Sequence, residues 1–173
     1  PGIRYHIIGA NGAKFKHYAA SKELLQQSTA LNPDLIIISL GTNEASDHPN
    51  LDKRFSSQAD TLITELRKLN PDAIILLTTP VDFYKKNTRR NPGIKIIKNK
   101  IIETARQNKL PWWNLHEVAG SYQAAEKWKK EELMQSDGIH FTKKGYELQG
   151  YLLFEAIIKG YNEYVLNRPA KTH

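Results

Sequence analysis

Two uninterrupted apolar runs, "DLIIISL" at 34–40 and "AIILLTT" at 73–79, constrain the fold of this chain most strongly. Runs of this length, rich in isoleucine and without polar alternation, fit strands buried on both faces. That burial is the mark of a parallel sheet covered by helices. Helical patterns lie between and around them. "SKELLQQSTALN" at 21–32 is one, and "IKIIKNKIIETARQN" at 94–108 is another. "DKRFSSQADTLITELRKLN" at 52–70 sets Phe55, Ala59, Leu62, Ile63, Leu66 and Leu69 on one stripe. "YHII" at 5–8 and "WWNL" at 112–115 read as further short strands. A last helix is expected from Thr142 to about Val165, with Tyr151, Leu152, Phe154, Ile157, Ile158 and Tyr161 on its buried side. Strand alternating with helix predicts an α/β class, three layers α/β/α around a parallel sheet. "NPD" occurs at 32–34 and at 70–72, each time between a helix and a strand. There proline stops the helix and aspartate opens the turn. No linker divides the 173 residues, which read as a single domain.

Composition narrows the chemistry. Cysteine is absent, so disulfides, thiolate catalysis and cysteine zinc sites are excluded. No apolar run approaches the length of a membrane span. The opening residues do not read as a signal peptide and carry no initiator methionine, so the chain is expected to be the interior of a longer one. The net charge is +7, with Lys85, Lys86, Arg89 and Arg90 in one stretch and Lys127, Lys129 and Lys130 in another. Solvated loops and helix faces account for such clusters. Attraction to an anionic polymer, glycan or nucleic acid, is the sharper reading. Nucleic acid is disfavoured, because no aromatic residues interleave with the basic ones in the RNA-binding manner.

In sheets of this kind ligands bind beyond the carboxyl ends of the strands. Four segments are expected to share that rim: "GANGAKF", "GTNEASDHPN", "TPVDFYKKNTRRNPG" and "SDGIHF". Gly9 and Gly12 permit a tight turn or a close approach of backbone to ligand. Asn43, just past a strand end, either offers its amide to a developing oxyanion or satisfies its own loop. Glu44 is expected to tend the loop. Asp137 and His140, three residues apart, suit a carboxylate that orients an imidazole base. The plainer alternative makes Asp137 a turn residue and His140 an ordinary surface or core histidine. Asp47 with His48, His116 with Glu117, and Asp137 with His140 are the pairs that could furnish metal ligands. Without an HExxH motif or any convergence of these pairs, no metal and no cofactor is expected.

"GANGA", "GTNEA" and "DGIHFT", in this order, resemble blocks two, three and five of the SGNH (GDSL-type) hydrolases, over essentially the whole chain. The wording of the first 45 residues is most similar to carbohydrate-directed esterases of bacterial envelopes. The resemblance implies a flavodoxin-like fold and a Ser-His-Asp triad. In it Gly12 gives a backbone N–H and Asn43 a side-chain N–H to the oxyanion, His140 is the base and Asp137 its orienter. It further implies an acylated carbohydrate substrate, most plausibly a glycan acetyl ester, and a periplasmic or secreted setting. The family's first block, Gly-Asp-Ser, is missing. That block bears the nucleophile on a strand which would lie between "YHII" and "DLIIISL". Residues 1–173 are therefore expected to be the C-terminal major part of one domain, inactive and poorly folding without an N-terminal segment that supplies the serine. Ser39, Ser46 and Ser136 are poor substitutes, and no GxSxG elbow occurs. A glycan-binding module that has lost its nucleophile and an O-acyltransferase using the same triad are the alternatives.

Overall fold

The computed structural model describes residues 2–85 and 89–167, and the side chains of all but Lys85 and Arg89 among them. Lys86, in the first basic cluster, lies outside the described residues. β1 (Leu35–Ile38) and β2 (Ile74–Thr78) are the two apolar runs, paired in parallel with Leu35 opposite Ile74 and Ile38 opposite Leu77. β5 (Trp112–Trp113) adds to the far side of β2, giving the order β1-β2-β5. A two-residue hairpin, β3 (Tyr84–Lys85) with β4 (Arg89–Arg90), stands apart from this sheet.

The strands feed two cores by simple alternation. Ile75 and Leu77 point to one face and Leu76 to the other; Ile36 and Ile38 share the first face, Ile37 the second. The first core is closed by α1 (Phe15–Ala20), α2 (Lys22–Leu31), α3 (Thr42–Ser46), α4 (Phe55–Leu69) and α5 (Gly93–Gln107). The expected stripe of α4 is there: Phe55, Ala59, Leu62, Ile63 and Leu66 are buried and Leu69 packs at its margin. The second core is closed by α6 (Leu115–Val118), α7 (Ala124–Lys130) and α8 (Lys143–Leu166), with Trp113, Trp128 and Phe141 at its centre. The three-layer α/β/α arrangement is thus as the sequence indicates.

The two "NPD" turns differ in what their asparagine does. Asn32 ends α2 in the left-handed region at φ 44°. Asn70 ends α4 buried, its amide donating to Leu66 O at 3.2 Å and to Ser28 Oγ at 3.0 Å, which ties α4 to α2.

Two expectations fail. "YHII" forms no strand, and Ile3, Tyr5 and Ile7 stay exposed. A strand needs a neighbour for its backbone hydrogen bonds, and among the described residues β1 pairs with β2 alone, leaving its other edge open. The segment is held at Ile8, whose carbonyl accepts from Tyr18 Oη at 3.0 Å. In α8 the packed side is Leu148, Leu152, Leu153 and Ala156; of the expected set only Leu152 belongs to it. Tyr151, Phe154, Ile157, Ile158 and Tyr161 are exposed. The helix is apolar on two opposite sides, so periodicity alone does not decide which one meets the sheet. Among the described residues no helix is long and apolar enough to cross a membrane.

Candidate active site

The loop leaving β1 turns at Gly41, whose φ of 116° only glycine adopts easily, and runs directly into α3. α3 then grips the loop after Gly12 with three side chains. Asn43 Nδ2 donates to Ala13 O at 2.9 Å. Glu44 Oε1 accepts from Phe15 N at 2.7 Å, and Asp47 pairs with Lys14 Nζ at 2.6 Å. Gly12 itself is exposed, with φ 69°, and a β-carbon there would touch nothing. Asn43 therefore meets the Gly12 loop through one amide hydrogen, and its second has no partner among the described residues. Gly9 has no such backbone requirement. Glu44 is buried, its Oε2 without a partner; burial pushes its carboxyl up, opposed by the Phe15 amide. Glu44 tends the loop as expected, whereas the Lys14–Asp47 pair was not legible, because Lys14 and Asp47 lie 33 residues apart.

Asp137 and His140 occupy the tip of a tight loop. Met134 and Phe141 form an antiparallel bridge at its base, Gln135 N donates to His140 O at 2.7 Å, and Thr142 N donates to Leu133 O at 3.0 Å. Gly138, at φ 66°, lets the chain reverse. Asp137 Oδ1 accepts from the backbone amides of Ile139 (2.8 Å) and His140 (3.0 Å), and Oδ2 lies 2.6 Å from His140 Nδ1. Asp137 thus both closes the turn and holds the His140 ring. Partial burial alone would raise its carboxyl, but the bonds from the His140 ring and from the two backbone amides outweigh it and hold Asp137 below the usual carboxylate range. The His140 side chain is 60% exposed, and Nε2 has no hydrogen-bond partner among the described residues. Ile139 packs into the first core and Phe141 into the second, so the histidine sits between anchors in both layers.

The four rim segments are joined in series. Asn43 bonds to Ala13, Asn91 Nδ2 to Ala45 O at 3.0 Å, and Tyr84 N to Gly138 O at 2.9 Å. Among the described residues no hydrogen bond links the Gly12–Asn43 pair directly to the Asp137–His140 pair. The hydroxyls of two candidate serines are engaged elsewhere, while Ser136 is bonded through its backbone carbonyl. Ser46 Oγ donates back to Thr42 O at 3.0 Å within α3. Ser39 is exposed rather than buried, because β1 is an edge strand, and its Oγ accepts from Thr78 Oγ1 at 3.1 Å. Ser136 O accepts from Lys129 Nζ at 3.0 Å.

Two ionisable groups near the rim, Asp82 and His116, are buried, which their sequence context does not reveal. Asp82 follows β2 and is 1% exposed, with neither oxygen hydrogen-bonded among the described residues. Burial pushes it up to about 6, against the pull of the Arg90 charge and the Ala125 and Phe83 amides. His116 is equally buried, both ring nitrogens unpartnered, its ring 4.8 Å edge-on from Tyr122. Burial and the Lys98 charge hold its pKa down, against Glu117. The pairs weighed for metal do not come together. Asp47 is committed to Lys14 and Glu117 accepts from Asn114, and among the described residues no three His, Asp or Glu side chains converge.

With this geometry, the comparison with known families is decisive. Residues 2–148 match the model of the GDSL-like lipase/acylhydrolase family. The chain belongs to that family. Its fold is that of solved structures of the same kind. A peptidoglycan O-acetylesterase superposes with a TM-score of 0.82 at 22% identity, over 88% of this chain and 45% of its own. A lipase/acylhydrolase from Enterococcus faecalis gives 0.62 at 27% identity, over 84% and 71%. An acetyl xylan esterase gives 0.63 at 18% identity, over 87% and 79%. The chain thus spans less than half the length of the peptidoglycan O-acetylesterase it resembles. No curated protein sequence matches it significantly.

Proposed function

We propose that this chain is the larger part of a serine-type ester hydrolase that removes O-acetyl groups from a carbohydrate, a cell-wall glycan in the periplasm or outside the cell. The observation that carries the reading is the Asp137–His140 pair, with Nδ1 held by a carboxylate at 2.6 Å and the rest of an exposed ring turned to solvent. In the proposed reaction a serine Oγ attacks the acetyl carbonyl while His140 Nε2 takes its proton. The tetrahedral oxyanion is held by the Gly12 N–H, the free Asn43 amide hydrogen and the serine's own N–H. The sugar oxygen leaves with the proton from His140, and water then releases acetate by the same path. The likeness to a peptidoglycan O-acetylesterase and an acetyl xylan esterase supports the substrate class.

The serine is assigned to a segment preceding residue 1. Two features favour this. β1 keeps an unpaired parallel edge, although parallel strands are normally covered. The apolar "YHII" segment is also exposed and joins no strand among the described residues. The test is turnover of an acetyl ester by the complete protein, with fluorophosphonate labelling read by mass spectrometry. His140→Ala should abolish turnover and leave the melting temperature unchanged, and Asp137→Asn should impair it severely. The label should fall on a serine outside residues 1–173. Parent-level turnover in His140→Ala ends the triad reading, and a label on Ser39, Ser46 or Ser136 ends the assignment of the nucleophile.

A further inference from the structure

The two halves of the candidate site lie on elements far apart in sequence, and something must set their separation. Asn43 rides on α3, two residues before Ala45. His140 rides on the loop clamped at Gly138. Between them stands Asn91, 2% exposed, in the link from β4 to α5. Its side-chain amide donates to Ala45 O at 3.0 Å, on the last turn of α3. Its side-chain oxygen accepts from Gly93 N at 2.9 Å, fixing the start of α5. Its backbone N–H donates to Phe83 O at 3.3 Å. Phe83 is followed by Tyr84, whose N–H donates to Gly138 O at 2.9 Å. The Tyr84 ring fills the place of a β-carbon on Gly138, with Cδ2 2.9 Å from that position. Gly93 seats directly against Ala45 O and the His48 β-carbon, so α3 is held from two neighbouring residues of one turn.

We infer that Asn91 is a positioning residue that sets the distance between the oxyanion donor Asn43 and the acid–base turn Asp137–His140. All of its side-chain hydrogen-bonding capacity used here is spent on two backbone groups, one in α3 and one in α5, and its own backbone ties the hairpin that holds Gly138. It touches neither substrate nor reacting atoms. Its effect is on geometry that matters only when both halves act on one carbonyl, so it belongs to kcat rather than to binding. The inference rests on the esterase reading above.

The test uses Asn91→Asp in the complete protein, with an acetyl-ester substrate. Aspartate keeps the acceptor for Gly93 N and removes the donor to Ala45 O. A misplacement on the order of 1 Å typically costs ~100-fold, so kcat should fall by roughly 30- to 100-fold with KM within about threefold. The loss should be strongly sub-additive with Asn43→Ala, since a misplaced α3 already wastes that donor. If the carboxylate prevents folding, Asn91→Ser carries the same test at 10 °C, being neutral and too short to reach Ala45. A kcat within twofold of the parent, or full additivity with Asn43→Ala, overturns the inference, as does failure of both variants to fold. The two readings fail separately. An active His140→Ala variant sinks the esterase reading, whereas an inactive His140→Ala beside an unimpaired Asn91→Asp sinks only the bridge.

Discussion

Asp82 offers a quantitative check on the burial of the rim. The residue is 1% exposed, its carboxyl has no hydrogen bond among the described residues, and it is shifted from its ordinary 3.8 to about 6. Unfolded, the group gives up its proton near 3.8; folded, it keeps it until about 6. Across that window the folded chain holds more protons than the unfolded one, so stability falls as pH rises. Well below 3.8 both states are protonated and nothing is lost. Above about 6 the folded chain carries a buried carboxylate, and the shift corresponds to a cost of up to ~3 kcal/mol. Asp82→Asn removes the titration and keeps one acceptor oxygen for the amides nearby. For a chain of this size, ~3 kcal/mol is worth up to roughly 10 °C in melting temperature. The complete protein should therefore gain up to that much at pH 8 on substitution, and little at pH 4, in paired thermal melts. Every other titrating group is common to both proteins and cancels. An equal gain at both pH values, or a loss at pH 8, would refute the argument that desolvation governs Asp82.

The oxyanion role of Asn43 is checked by Asn43→Ala, which should lower kcat by ~100- to 1,000-fold with little change in KM. A change confined to KM would leave it a binding or loop residue. Gly93→Ala tests the packing of α5 on α3. The added methyl would collide with Ala45 O and the His48 β-carbon, costing on the order of 2–3 kcal/mol by overpacking. Its thermal melt should shift down by several degrees, and an unchanged melt would mean that the two helices yield easily.

The central strands, the long helices and the rim were legible because periodicity and apolar runs report burial directly. α1 and α3 were not, since six and five residues give no periodic signal. The β3–β4 hairpin was hidden for the same reason, two residues a side. "YHII" misled because strand propensity says nothing about whether a neighbour exists to complete the hydrogen bonds. α8 misled by being apolar twice over. Within the site, Asp137–His140 was legible because the spacing itself creates the contact. The clamps were not, because Asn43–Ala13, Lys14–Asp47 and Asn91–Ala45 span 30 to 46 residues and join side chains to partners that no local pattern names.

The placement of Ile139 in one core and Phe141 in the other has a bearing on engineering this scaffold. In many enzymes one layer can be repacked for thermostability while the layer beneath the catalytic group is left alone. Here no layer is neutral ground. His140 hangs between two anchors that answer to different sets of helices, so a slide of either set relative to the sheet is transmitted to the imidazole as a tilt. A stabilised variant should be selected on kcat together with melting temperature, and volume-conserving exchanges on both sides are the safest currency for change.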